Sequence, residues 1–177
     1  MEQQLSSVQA YSGPAISLRV DQVKKSNGST TTRDVVEHAD CIAVVAIDDE
    51  NQVLLVRQFR YPVDASLLEI PAGGIEPGED TLDSVRRELQ EEIGYLPGKV
   101  QKLGGFYSIP GYGTEYLYIY AAWDLESSRL IGEDTDEIEV VRVPLQQIPE
   151  LIFSGRLCDA KSIAALLMYM AREKLLG

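Results

Sequence analysis

The sequence of 177 residues predicts an α/β (α+β) fold: a mixed β-sheet sandwiched between helices, with a small N-terminal antiparallel β element. Three observations lead to this prediction. Short valine-rich runs bounded by turn residues are typical of buried strands. Residues 16–23 alternate apolar and polar side chains, as a half-exposed strand does. Three later segments carry apolar residues at helical spacing.

The predicted elements follow the chain in a simple order. A first hairpin turns at Asn27 and Gly28, and a second turns in the acidic loop at 48–51. The predicted strands are 16–23, 31–39, 41–47, 52–59, 66–72, 100–108, 115–123 and 138–143. The predicted helices are 80–93, 145–155 and 160–176. We therefore predict a β-hairpin element at 1–39 and a larger domain at 40–177.

Composition narrows the function classes. The formal net charge is −12, and no cluster of Lys and Arg is present to bind a nucleic-acid backbone. No apolar run approaches the roughly 20 residues of a membrane helix. Cys41 and Cys158 lack metal-type spacing, and the N-terminus lacks the features of a signal peptide. We therefore expect a soluble cytoplasmic protein with no nucleic-acid or membrane partner.

The helix predicted at 80–93 is crowded with carboxylates. Leu82, Val85, Leu89 and Ile93 form its apolar face. Glu88 and Glu92, one turn apart, sit beside this face with Glu91 close to them, whereas a helix built only for solubility would interleave lysines at i,i+4. A solvated acidic face is the alternative interpretation. Hard oxygen ligands at this spacing suit Mg²⁺ or Mn²⁺.

The segment from Gly73 to Tyr95 resembles the Nudix box, the signature of hydrolases that cleave a nucleoside diphosphate linked to another group. The matching positions are Gly73, Glu79, Arg87, Glu88, Glu91, Glu92 and Gly94, with Leu89 in the first aliphatic slot. Tyr95 departs from the final slot, which is usually aliphatic. The resemblance implies the Nudix fold.

By this resemblance, Glu88, Glu91 and Glu92 hold divalent cations, helped by the backbone carbonyl of Ala72. Glu79 and Arg87 are implied to be mainly structural. The metal would neutralise the acidic helix, and a bound diphosphate would complete the coordination of the ion.

Features outside the box resemble the ADP-ribose pyrophosphatase branch of this family. They are "VRQFRYPV" (56–63), "LEIPAGGIEPGED" (68–80), "IPGYGTE" (109–115), the N-terminal hairpin and "DAKSIAALL" (159–167). The branch implies a homodimer that exchanges the hairpin region. It also implies hydrolysis of ADP-ribose to AMP and ribose 5-phosphate with Mg²⁺.

Roles for individual side chains follow from the same resemblance. Arg60, together with Arg33 and Arg57, is expected to face the diphosphate, because an arginine fork matches phosphate oxygens. Glu115 is expected to contact the terminal ribose or a metal-bound water. The alternative for Arg57 and Arg60 is pairing with acidic neighbours.

The catalytic base is expected in the acidic loop "GEDTDE" (132–137), where the branch places glutamates before the last strand. Alignment of that strand puts Asp134 and Asp136 at those positions. Glu133 or Glu137, or Glu91 or Glu92 as in other Nudix enzymes, are alternatives, and so is a solvated loop without a catalytic role.

Two rival functions remain open at this point. A nucleotide-sugar pyrophosphatase acting on a substrate such as GDP-mannose would use the same box. A silent Nudix module that senses ADP-ribose would be expected to lose box carboxylates, and all of them are present.

Overall fold

The computed structural model describes residues 1–132 and 138–175. The chain forms two compact units. The first comprises Met1–Asp40 and Phe106–Leu117, and the second comprises Cys41–Gly105 and Tyr118–Gly177. The domain boundary predicted between residues 39 and 40 stays a prediction.

The first unit contains a three-stranded antiparallel sheet. Its strands, in the order β1-β2-β3, are β1 (Gln3–Ser12), β2 (Ser17–Lys24) and β3 (Thr30–Glu37). The turn between β2 and β3 contains Gly28, whose φ of 85° is accessible at little cost only to glycine. Segment 106–117 joins this unit through a bridge between Val36 and Gly113.

Strand β1 was not predicted from the sequence. All ten of its residues are exposed, so it has no buried face and no apolar alternation to reveal it. Its backbone hydrogen bonds to β2 define it instead.

The second unit is built on a mixed sheet of seven strands with the order β10-β5-β4-β9-β8. Two short strands are paired off this path, β6 with β5 and β7 with β4. The strands are β4 (Cys41–Ile47), β5 (Gln52–Arg60), β6 (Ala65–Glu69), β7 (Ala72–Gly74), β8 (Tyr95–Tyr107), β9 (Tyr116–Ser127) and β10 (Glu139–Pro144).

The core of this unit surrounds β4, in which every residue is buried. Helix α1 (Thr81–Glu88) packs Val85 against it, and Leu89 and Ile93 continue this buried face. Leu82, predicted on the same face, is 39% exposed, because it lies in the first turn, before the helix reaches the core.

Two further helices close the chain, α2 (Ile148–Phe153) and α3 (Ala160–Arg172). Asp159 caps the start of α3 by accepting a hydrogen bond from the backbone N–H of Ser162. No helix among the described residues is long and apolar enough to span a bilayer.

Candidate active site

The acidic helix ends in an unusual turn. Asp80 caps its start by accepting the backbone N–H of Leu82, and α1 is regular as far as Glu88. Residues Leu89–Ile93 then form a π-helical turn, which ends at Gly94 with a left-handed φ of 79°. Single π-helical turns are frequent at functional sites because they displace side chains from the regular helical positions. Glu91 and Glu92 both lie on this turn.

Glu88 lies in a cradle at Gly73, which has no side chain to occupy the same space. The Glu88 side chain is 7% exposed and lies directly against Gly73 in β7. A methyl group built on Gly73 would overlap the Glu88 carboxylate, so the Glu88 side chain would have to leave this position. Glycine at position 73 therefore lets a carboxylate approach the backbone at this point.

Glu92 is buried without an ion-pair partner among the described residues. It is 9% exposed, and its Oε2 accepts the backbone N–H of Ala72 at 3.0 Å. Burial, reinforced by the charge of Glu88, raises the pKa of Glu92 to about 8. Burial also raises the pKa of Glu88, although Arg87 opposes this effect. Glu88 and Glu92 thus form a buried pair of acidic side chains whose surroundings disfavour the ionised forms.

Arg87 connects the helix to the preceding loop. Its Nε and Nη2 donate to the two oxygens of Glu79 at 2.9 and 3.0 Å, and Nη2 also donates to the carbonyl of Gly74. Its Nη1 donates to Glu88 at 2.6 Å and to Glu91, four residues further along the chain, at 3.3 Å. The hydrogen bonds from Arg87 lower the pKa of Glu79 to about 2.

Glu91 lies beside the start of the acidic loop. A Cβ built on Gly132 would lie 3.0 Å from the Glu91 carboxyl carbon. Just before it, the N–H of Leu130 donates to the carbonyl of Gln90 at 3.1 Å. The loop therefore enters next to the π-helical turn. Its predicted base residues lie outside the described residues: Asp134 and Asp136, with the alternatives Glu133 and Glu137.

Arg60, at the end of β5, pairs with a carboxylate that the sequence analysis did not single out. Its Nε and Nη2 donate to Glu69 at 2.7 and 2.8 Å, and Lys161 of α3 also contacts Glu69. Glu69 is 2% exposed. A signal for it was present in "SLLEIPA", where one acid ends an apolar strand.

The other predicted substrate residues are paired elsewhere. Arg57 pairs with Glu139 of β10, its register partner across the sheet, at 3.2 Å. In the first unit, Arg33 pairs with Glu2 at 2.6 Å, and Glu115 lies 3.5 Å from the Nδ1 of His38. The structure thus brings together Ala72, Glu88, Glu91 and Glu92, whereas Arg57, Arg33 and Glu115 have local partners.

Comparison with known proteins identifies this arrangement. The chain matches the NUDIX domain over residues 37–166. It belongs to the Nudix family. The predicted fold and family are therefore confirmed, and the chain is a Nudix hydrolase.

Several relatives of this Nudix protein match over much of their length. An ADP-ribose pyrophosphatase from Bacillus subtilis (strain 168) is 36% identical, covering 98% of this chain and 95% of the relative. A methanol dehydrogenase activator from Bacillus methanolicus is 35% identical with the same coverage. A GDP-mannose pyrophosphatase from Yersinia enterocolitica is 34% identical, covering 76% and 75%. These similarities place the chain among the ADP-ribose and nucleotide-sugar pyrophosphatases.

A solved structure supports the fold. The crystal structure of an ADP compounds hydrolase superposes with a TM-score of 0.90 at 22% identity, covering 99% of this chain and 96% of that one.

The carboxylates of the Nudix box have the donor chemistry of a site for a divalent cation. Glu88 and Glu92 are two buried acids with raised pKa values, and burying such charges is costly unless a cation compensates them. Their ligand atoms are hard oxygens, which Mg²⁺ and Mn²⁺ prefer. Nudix hydrolases generally use divalent metals.

The cradle at Gly73 gives a first prediction. Gly73→Ala should displace Glu88 and weaken Mn²⁺ binding by roughly tenfold or more, as losing a supporting contact at a metal site does. Titration calorimetry with Mn²⁺ measures this. Gly74→Ala is the matched control, because a methyl group there meets no atom within 4 Å. Equal affinities for the two variants would show that the cradle is unimportant.

The Arg87 to Glu79 fork gives a second prediction. Glu79→Gln should lower the free energy of unfolding by about 1–2 kcal/mol at pH 7, because it removes charge-assisted hydrogen bonds. The pKa of Glu79 is depressed in the folded state, so its stabilisation is present above the unfolded pKa near 4.5 and is lost as pH falls toward about 2. Urea unfolding between pH 7 and 2.5 should show wild type and variant converging.

The control for this prediction is Glu76→Gln, which changes an exposed carboxylate in the same loop. We expect it to leave stability unchanged at every pH. A gap between wild type and Glu79→Gln that stayed constant down to pH 2.5 would contradict the role assigned to the fork.

Proposed function

We propose that this Nudix hydrolase cleaves the diphosphate linkage of ADP-ribose, in a reaction that depends on Mg²⁺ or Mn²⁺ and yields AMP and ribose 5-phosphate. The observation that carries the chemistry is the buried pair of carboxylates Glu88 and Glu92, with Glu91 at the edge of the pair. Similarity to the B. subtilis ADP-ribose pyrophosphatase over almost the whole of both chains supports the substrate.

The carboxylates of Glu88, Glu91 and Glu92, with the Ala72 carbonyl, would hold the ion. When bound there, such an ion would supply positive charge to the diphosphate and would lower the pKa of a bound water. Ala72 and Glu92 are already joined by a hydrogen bond, so this part of the ligand set is preorganised.

The protein's own residues then bind the substrate and accept a proton. Arg60 is 40% exposed, so its N–H groups beyond those bound to Glu69 would be able to donate to the diphosphate. We assign the proton acceptor to the acidic loop, at Asp134 or Asp136. Its entry beside Glu91 supports this assignment. Glu91 and Glu92 remain the alternative bases.

We also propose three further substrate contacts: Arg33, Arg57 and Glu115. Each has an acidic or basic partner in the structure, and binding would have to exchange that partner for the substrate. The pairs of Arg33 and Arg57 are exposed and contribute little stability, so their exchange is inexpensive.

The second candidate is hydrolysis of GDP-mannose or another nucleotide sugar. It is favoured by the GDP-mannose pyrophosphatase relative, which shares the box but covers less of the chain. The relative named as a methanol dehydrogenase activator matches the whole chain, so similarity over the full length does not by itself select the substrate. A non-catalytic ADP-ribose sensor is disfavoured by the complete set of box carboxylates.

The central test is AMP release from ADP-ribose with Mg²⁺, measured beside GDP-mannose and a nucleoside triphosphate. We expect ADP-ribose to be preferred. Glu92→Gln should reduce turnover roughly 100-fold or more, because a buried ligand or base loses its charge. Chelation of the metal should abolish turnover in the wild type.

The folding control for this test is the thermal unfolding of Glu92→Gln without metal. The raised pKa of Glu92 makes its carboxylate destabilising as pH rises from about 4.5 to 8, so the variant should melt no lower than wild type at pH 8. Asp83→Asn, an exposed change on the same helix, should retain activity. Preference for GDP-mannose would favour the second candidate, and near wild-type turnover by Glu92→Gln would refute the metal site.

We also propose a homodimer. Strand β1 is exposed at all ten positions, and apolar side chains on it and just after it are uncovered: Leu5, Val8, Tyr11 and Ile16. Light scattering should give twice the chain mass of 19.6 kDa. A monomer mass at micromolar concentration would contradict the proposal. The cytoplasmic location stays a prediction, which cell fractionation would check.

A further inference from the structure

Glu69 ends β6 and is the most deeply buried carboxylate among the described residues, with 2% of its surface exposed. A carboxylate is buried at this depth only when cations and hydrogen bonds compensate its charge. Two cations do so here. Arg60 donates to both of its oxygens, and Lys161 contacts Oε2.

The pairing determines where the guanidinium of Arg60 lies. In the strand register, Arg60 is opposite Ala65, whereas Glu69 is four residues further along β6, roughly 13 Å at strand spacing. The Arg60 side chain must therefore extend along the sheet to reach Glu69. An arginine released from this contact would sample many rotamers and lose its fixed direction.

The pairing also leaves part of the guanidinium available. Nε and Nη2 donate to Glu69, and no further hydrogen-bond acceptor for Arg60 is found in residues 1–132 and 138–175. The side chain is 40% exposed, so its remaining N–H donors can meet a ligand. Lys161, at 16% exposure, is shared between Glu69 and Asp159, the residue that caps α3.

Both cations contact a residue that lies near the carboxylate cluster along the chain. Glu69, which binds Arg60 and Lys161, stands three residues before Ala72, and the N–H of Ala72 donates to Glu92.

The backbone between Glu69 and the cluster is fixed at successive residues. The N–H of Ile70 donates to the Ser162 hydroxyl at 2.9 Å, and the carbonyl of Pro71 accepts the N–H of Val44 at 2.9 Å. The N–H of Ala72 donates to Glu92. The position of Glu69 relative to the carboxylates is thus rigidly determined.

We propose that Glu69 is a positioning residue, which holds the Arg60 guanidinium in the orientation that receives the diphosphate of the substrate. The inference rests on the proposed function only in taking a diphosphate as the ligand. Glu69 itself does not touch the substrate and acts through Arg60. Lys161 supplies a second positive charge beside Glu69, and the remaining N–H donors of Arg60 are left for the diphosphate.

This role is distinguishable from simple support of the fold. Arg60 binds the diphosphate in the ground state and in the transition state, so its misplacement should raise KM more than it lowers kcat. A loss of general stability would not select KM in this way. A loss of stability caused by Glu69→Gln would also affect activity equally with and without the Arg60 side chain.

The test compares Glu69→Gln, Arg60→Ala and the double variant with wild type. We expect Glu69→Gln to raise KM roughly tenfold while kcat changes by less than about threefold, as for the loss of one charged contact. In the Arg60→Ala background, the same change at position 69 should alter KM by less than twofold. The substrate is whichever nucleoside diphosphate sugar the wild type hydrolyses.

A second readout does not require turnover. Calorimetry with magnesium pyrophosphate should show Glu69→Gln binding roughly tenfold more weakly than wild type. If ADP-ribose is not hydrolysed, the proposed function is wrong. The pyrophosphate-binding measurement would still test the role of Glu69. Pyrophosphate affinity unchanged by Glu69→Gln would overturn the positioning role.

The matched control is Ser162→Ala, which removes the buried partner of the Ile70 N–H in the same segment and one hydrogen bond to Asp159. The Ser162 side chain makes no hydrogen bond to Arg60 or Lys161 among the described residues. It should lower the melting temperature and leave KM within twofold of wild type. Arg60→Lys keeps the charge on a partly exposed side chain and loses the fork, so it should raise KM even if Glu69→Gln folds poorly. An equal rise in KM for Ser162→Ala, or additive effects in the double variant, would overturn the proposal.

Discussion

This structure depends on the burial of two neighbouring acidic side chains, Glu88 and Glu92. Glu88 and Glu92 are buried next to the backbone of β7, where the surroundings favour their neutral forms. Such an arrangement costs stability unless a cation compensates it, and proteins retain such costs mainly at functional sites. The rest of the second unit is organised to hold these two carboxylates in place.

Three kinds of support hold them. The absence of a side chain at Gly73 makes room for Glu88, and the Ala72 N–H holds Glu92. Arg87 fixes the loop before the helix by its fork on Glu79, so the helix start and β7 move together. The box is therefore one hydrogen-bonded unit. Glu88, Glu91 and Glu92 are the acids proposed to bind the metal, whereas Glu79 holds the loop in place.

A second charge system balances the first. Arg60 and Lys161 bring positive charge to Glu69 and, at longer range, to Glu92. In a protein with a net charge of −12, local cations of this kind are what allow a small anion to approach an acidic cluster. Glu69 binds both cations and thereby links the end of β6 and the start of α3 to the carboxylate cluster.

The sequence alone determined the box and the core strands. Valine-rich runs predicted β4 and β5, the apolar spacing predicted the buried face at Val85, Leu89 and Ile93, and the end of the helical segment was predicted at residue 93. These features depend on local periodicity and on turn chemistry, which neighbouring residues carry. The resemblance of seven spaced residues to the Nudix box supplied the family for the same reason, because the spacing itself is local.

Only the tertiary structure decided the rest. The π-helical turn at Glu91 and Glu92 follows from packing of the helix end, and β1 follows from backbone pairing without a buried face. The partnership of Glu69 with Lys161 joins residues 92 positions apart, and no local pattern encodes which distant cation a buried acid will meet. Contacts across that separation are set by how the sheet and α3 pack, which sequence periodicity does not specify.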